Sequence, residues 1–318
     1  MPIKVIVAED FDGVSRVAAD FMKGIIIDTQ KKKGGTVLGL ATGNSPTGMY
    51  KLLAKAANAG EFDCAKIRSF NLDEYIGLPG DNVQQRVIHP ESYCYFMIQE
   101  FFSLLKTKFA ETRVPYGALI DQKKLEAELK RCPGDWKYAG TDAGKAIVIK
   151  AGAESEYLAW VRKEIQGAYE RKIKAAGGID VQVIGVGGKG HVAFHEAGIP
   201  FKGSRVLIVK LDDNTIKNAV ADGHFASVKD SPRFAVSMGA ELVYEAANVL
   251  LVANGERKRL PVAKSLLEEP DPLVPISYGQ IYSRNGGNLV YVVDRIAGAD
   301  LLAAKDKLKA KGIVLESA

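Results

Sequence analysis

Short β-branched apolar runs alternate with longer amphipathic stretches along this chain, the pattern of strands separated by crossover helices. Strands are predicted over residues 4–7, 36–41, 67–71, 181–185, 205–211, 249–253 and 289–294. Several of them, 249–253 above all, are apolar at every position, as central parallel strands buried on both faces must be. Between them, 13–31, 46–59, 154–176 and 257–268 carry apolar residues at helical spacing and are long enough to be crossover helices. The expected fold is α/β: a doubly wound, mostly parallel sheet of Rossmann-like type with helices on both faces. In such sheets ligands sit outside the carboxyl ends of the strands.

The stretch 117–152 breaks the alternation. It is charged, is interrupted by Cys132-Pro133-Gly134, and has only a short strand-like run at 146–149, so it is expected to be an insertion lying on the sheet. Pro270-Asp271-Pro272 reads as a rigid turn and not a linker, and the 318 residues are expected to form one domain.

Composition narrows the class of function. With 47% hydrophobic and 25% charged residues the chain must bury a real core, which excludes disordered and collagen-like readings. A net charge of +5 is mild and spread out, so no nucleic-acid partner is expected. The runs Lys31-Lys32-Lys33 and Arg257-Lys258-Arg259 are too short for such a footprint. The first reads as a solvated helix end, and either is able to meet a small anion. Cys64, Cys94 and Cys132 have neither disulfide-framework nor zinc-knuckle spacing, which fits a reducing compartment. No apolar run approaches the ~20 residues of a membrane helix, and the N-terminus lacks a signal-peptide layout. A cytoplasmic protein without a membrane partner is expected.

Three segments carry candidate chemistry. Thr42-Gly43-Asn44-Ser45-Pro46 follows a strand and opens a helix, with Ser45 predicted as N-cap and Pro46 as first helical residue. Free N–H groups and hydroxyls gathered there make an anion cradle. Phe70-Asn71-Leu72-Asp73-Glu74-Tyr75 places two carboxylates at a strand end. Adjacent strand residues face opposite ways, so only one of the pair can address a common ligand. Gly185-Val186-Gly187-Gly188-Lys189-Gly190-His191 contains the glycine spacing of a dinucleotide loop, and Asp212 and Asp213 stand where a ribose-binding acid would. The chain beyond it reaches Gly198 and Pro200 too soon for a crossover helix, so no dinucleotide is expected, and no other cofactor is called for. His191 and His195, four apart beside Glu196, are spaced for a metal on a helical face but lack a third ligand. A proton shuttle at His191 oriented by Glu196 is the better reading.

Taken in order, Thr42-Gly43-Asn44-Ser45-Pro46, Phe70-Asn71-Leu72-Asp73-Glu74-Tyr75-Ile76-Gly77-Leu78-Pro79, His89-Pro90-Glu91-Ser92-Tyr93 and Gly190-His191-Val192-Ala193-Phe194-His195-Glu196 strongly resemble the glucosamine-6-phosphate deaminase/isomerase family. The resemblance spans nearly the whole chain; the more distantly related 6-phosphogluconolactonases continue the histidine motif differently. It implies a hydrolase and isomerase of amino sugar metabolism, with a small-molecule sugar phosphate as partner. It further implies Asp73 as the base moving a proton between C2 and C1, His191 as the group assisting ring opening, and Glu196 as its holder. The 42–45 loop and Lys258 would take the phosphate. Some members are multimeric and allosteric, so a homo-oligomer is compatible with the resemblance.

Two departures stand out. Where the family has Asp two residues before the histidine, this chain has Lys189, placed to meet substrate. A cation there disfavours the imidazolium and repels a C2 ammonium by roughly 1 kcal/mol or more at contact. The family's phosphate Arg should fall between Asn214 and Phe225, where only Lys217 is offered. A non-deaminating sugar-phosphate isomerase and a catalytically silent sugar-phosphate sensor therefore stay open as alternatives.

Overall fold

In a computed structural model, which describes residues 2–318, the chain builds two sheets. The larger has eight strands, all parallel, in the order Val314–Ser317, Lys4–Ala8, Asn288–Asp294, Asn248–Ala253, Val181–Ile184, Thr36–Leu40, Ile67–Asn71 and Glu111–Arg113. Its central strands are buried on both faces, with Val249, Leu250, Leu251 and Val252 fully enclosed. Helices Phe11–Lys33, Thr47–Asn58 and Glu256–Leu267 fall where the periodicity puts them. The predicted 154–176 helix is one continuous rod whose middle, Val161–Gly167, is wound as a π-helix.

From the Thr36–Leu40 strand the chain moves outward to Ile67–Asn71. It returns on the other side at Val181–Ile184 and then moves away in the opposite direction. The crevice between those two strands is the topological switch point, where the loops leaving the sheet diverge and open a cleft.

A second sheet, which the strand pattern does not predict, lies beside the first. Asp73–Ile76, Phe234–Met238, Val206–Lys210, Lys145–Ile149 and Trp136–Ala139 pair antiparallel in that order. The 205–211 run, expected in the parallel sheet, belongs here, because four consecutive apolar residues, Val206 to Val209, do not reveal which sheet covers them. The 117–152 stretch is likewise more than an excursion. It contributes the helix Gln122–Arg131 and two of the five strands. Lys31, Lys32 and Lys33 close the last turn of the first helix, where cations meet the negative end of the helix dipole. Among the described residues no helix is long and apolar enough to cross a membrane.

Candidate active site

A cleft of about 240 Å³ lies over the carboxyl ends of four neighbouring strands, Asn248–Ala253, Val181–Ile184, Thr36–Leu40 and Ile67–Asn71. Thr42, Gly43, Asn44, Ser45, Asp73, His191 and Lys258 all line it. Segments more than 200 residues apart in sequence thus meet in one cavity.

The 42–45 loop is held from both ends. Thr47 donates its backbone N–H and its hydroxyl to the Asn44 carbonyl, at 3.3 and 2.9 Å. Gly43 takes the left-handed conformation at φ +96°, which a side chain would strain. Ser45 is not the N-cap that the sequence suggests: its hydroxyl donates to Asn254 Oδ1 at 2.7 Å, and the helix begins at Thr47. This bond ties the loop to the end of the strand Asn248–Ala253, across the intervening strand Val181–Ile184.

Which carboxylate of the Asp73-Glu74 pair serves the cleft is settled by hydrogen bonds. Glu74 turns away and accepts from the backbone N–H groups of Tyr75, Tyr93 and Cys94 and from the Ser92 hydroxyl, at 2.9 to 3.1 Å. It therefore caps the helix Tyr93–Glu100, whose first N–H groups lack intrahelical partners. Burial raises its carboxyl above the usual range, and these donors oppose the rise. Asp73 points into the cleft instead. Burial first, and the Glu74 charge second, hold its carboxyl well above the usual carboxylate range. A group so tuned is a stronger base than a solvated aspartate once ionised.

Opposite stands His191, about one-fifth exposed, with Nδ1 3.2 Å from Glu196 Oε2. Glu196 is itself buried, and its other oxygen accepts the Asp212 backbone N–H at 3.2 Å. The imidazole packs directly on Gly187: a Cβ there would lie 2.0 Å from Nε2, so the glycine makes room for the ring. Ala193, also lining the cleft, is the one non-glycine residue among those described with positive φ, at 50°. Its neighbours are pinned by the Val192–His195 bridge and by Phe194 N–H donating to Ser237 Oγ at 2.9 Å. Stored backbone strain of this kind gathers at functional sites. Tyr75, Tyr93, Phe194 and Phe225 form one aromatic wall, with Tyr93 and Phe194 stacked at 5.8 Å.

The glycine-rich segment opens no helix, which removes the structural context a dinucleotide loop needs; instead its Val186 carbonyl accepts the Lys258 ammonium at 2.5 Å. Nor do His191 and His195 share a helical face. His195 is fully buried, with Nε2 3.0 Å from the Ile199 carbonyl and Nδ1 accepting the Ala240 N–H at 3.0 Å. That pairing fixes a neutral tautomer, and burial pushes its pKa down to about 4. The unfolded chain therefore binds a proton that the native state refuses as pH falls from about 6.5 towards 4, and stability is lost through that window. The drop from the ordinary value of 6.5 is worth about 3 kcal/mol. His195→Gln should flatten the acid limb of a urea-unfolding series by about one proton; an unchanged slope would refute the assignment.

Lys189 departs from expectation. It is not among the cleft-lining residues; its ammonium is taken by Asp142 at 2.9 Å and Asp212 at 3.0 Å. The partnership raises the Lys189 pKa and lowers that of Asp142. The positive charge is thus compensated by two carboxylates, one supplied by the 117–152 stretch. Lys217 is also absent from the cleft. Thr215, Asn218, Ala219 and Asp222 form the helical face that lines it, and Lys217 lies off that face in solvent. Tyr93, Asp222 and His224 also line the cleft without a local sequence signal for that duty, and Arg257 joins them from the basic run 257–259. For Arg257 the adjacency to Lys258 was the available signal.

No protein-family model matches the chain. Among curated proteins it is similar to glucosamine-6-phosphate deaminases. That of Clostridium acetobutylicum is 31% identical over 296 residues, covering 93% of this chain and 98% of that protein. That of Clostridioides difficile is 32% identical over 299 residues, covering 94% and 97%. Among solved structures, a monomeric glucosamine-6-phosphate deaminase superposes with a TM-score of 0.68 at 27% identity, over 93% of this chain and 99% of the other. The 6-phosphogluconolactonase of Leishmania guyanensis shares the fold, with a TM-score of 0.59 at 17% identity over 94% and 98%.

Proposed function

This chain belongs to the glucosamine-6-phosphate deaminase family, and we propose that it converts an amino sugar 6-phosphate to a ketose 6-phosphate with release of ammonia. The observation that carries the reading is the meeting of Asp73, His191, the 42–45 loop and Lys258 in one cleft.

Phosphate held by the loop and Lys258 orients the sugar without taking part in bond breaking. His191, oriented by Glu196, carries the proton from the C1 hydroxyl to the ring oxygen as the bond between C1 and that oxygen breaks and the pyranose opens to the aldehyde. The C2 proton becomes acidic only beside the carbonyl so formed, and Asp73 takes it and delivers it to C1. Moving that proton turns the aldose into an enolamine and then a C2 imine, which water hydrolyses to ketone and ammonia. Compensation of Lys189 by Asp142 and Asp212 weighs for an amino sugar and against the non-deaminating alternative, since it removes the repulsion that a free ammonium would exert on the C2 amine.

Ammonia and ketose 6-phosphate should both form from glucosamine 6-phosphate and neither from unphosphorylated glucosamine. Ketose from glucose 6-phosphate alone would establish a plain isomerase, and binding without product a sensor. Lys258→Met should raise KM for the phosphorylated substrate about 10–100-fold, with a much smaller change in kcat, because a charged hydrogen bond of roughly 1.5–3 kcal/mol acts alike on ground and transition states. A fall confined to kcat would contradict a phosphate role.

A further inference from the structure

Lys258 is the one lysine and Arg257 the one arginine lining the cleft among the described residues. The Lys258 ammonium is largely buried, already donates to the Val186 carbonyl, and has its pKa lowered by burial and by Arg257 beside it. A phosphate monoester carries close to two negative charges at neutral pH and presents three acceptor oxygens. One half-committed ammonium does not match it. Arg257 is mostly exposed at the cleft wall, and its guanidinium is occupied by a carboxylate: Nη1 lies 2.9 and 3.2 Å from the two oxygens of Asp222. Asp222 follows the helix Asp213–Ala221 and lines the same cleft.

We propose that Arg257 is the second phosphate-binding cation of this site, parked on Asp222 in the unliganded protein and transferred to the substrate phosphate on binding. This rests on the sugar-phosphate reading above and assigns it a residue. A guanidinium fork matches phosphate oxygens as well as carboxylate oxygens, so one partner can replace the other without loss of geometry. The exchange has a direction. An arriving dianion attracts Arg257 more strongly than a single carboxylate does and repels Asp222 beside it. Asp222 therefore acts as an internal competitor that weakens phosphate binding, and Lys217, outside the cleft, has no part in it.

Calorimetric titration of the full-length protein with fructose 6-phosphate, and separately with inorganic phosphate, tests this without relying on turnover. Arg257→Met should weaken both about 10–100-fold, and Arg257→Lys less. Asp222→Asn should tighten both severalfold, and that gain should vanish in the Arg257→Met background. Unchanged binding in Arg257→Met, or a tightening by Asp222→Asn that persists without Arg257, would overturn the assignment while leaving the sugar-phosphate reading intact. Failure of the unaltered protein to bind either probe would sink both.

Discussion

Asp73→Asn is expected to lower turnover by about 10²–10⁴-fold, the range of a lost general base, with little change in substrate affinity. The same substitution should raise Tm at neutral pH. Burial and Glu74 lift the native carboxyl's pKa well above its unfolded value. Between the two values the native state therefore holds more protons than the unfolded chain, and stability falls as pH rises through that interval. An amide removes this penalty, so the advantage of the variant should be full at high pH and shrink in acid. The wild-type rate should follow the opposite course, rising with pH as Asp73 ionises, with an acid limb above the ordinary carboxylate range. Retained turnover in Asp73→Asn, or a variant no more stable than wild type at neutral pH, would remove Asp73 from the role of buried base.

His191→Asn is expected to cost roughly 10²–10⁴-fold on a cyclic substrate. The loss should be largely recovered on a 5-deoxy aldose 6-phosphate, which lacks the oxygen that closes the six-membered ring. Ring opening is the step assigned to His191, and carbon-proton transfer belongs to Asp73. Asp73→Asn should therefore show no such recovery. Equal loss on both substrates would mean that the imidazole serves the carbon-proton step or holds the cleft together. Glu196→Gln should follow His191→Asn more weakly, since the 3.2 Å contact orients the ring and does not touch the sugar.

Much of the site could be read before folding because its chemistry is local. The loop Thr42-Gly43-Asn44-Ser45, the acid at the end of the strand Ile67–Asn71 and the histidine after the glycines each depend on a few consecutive residues and their position at a strand end. Residues whose duty is assigned across space were less legible. Nothing adjacent to Asp73 and Glu74 says which one caps the helix Tyr93–Glu100; the capped N–H groups lie some twenty residues on. Lys189 looked like an ammonium aimed at the sugar because Asp142, its partner, lies 47 positions earlier in a stretch of no evident pattern.

The sequence by itself determined the parallel sheet, the helices crossing over it and the strand ends where catalysis had to be sought, because these follow from burial periodicity and turn chemistry acting over a few residues. Only the tertiary structure decided that the strand 206–210 leaves that sheet for an antiparallel one, that Ser45 bonds across to Asn254, and that Arg257 shares the cleft with Lys258 while Lys189 does not. Those outcomes depend on which polar group finds its partner when distant segments close on one another. Charge and hydrogen bonding are settled by neighbours in space, and the order of residues along the chain does not list them.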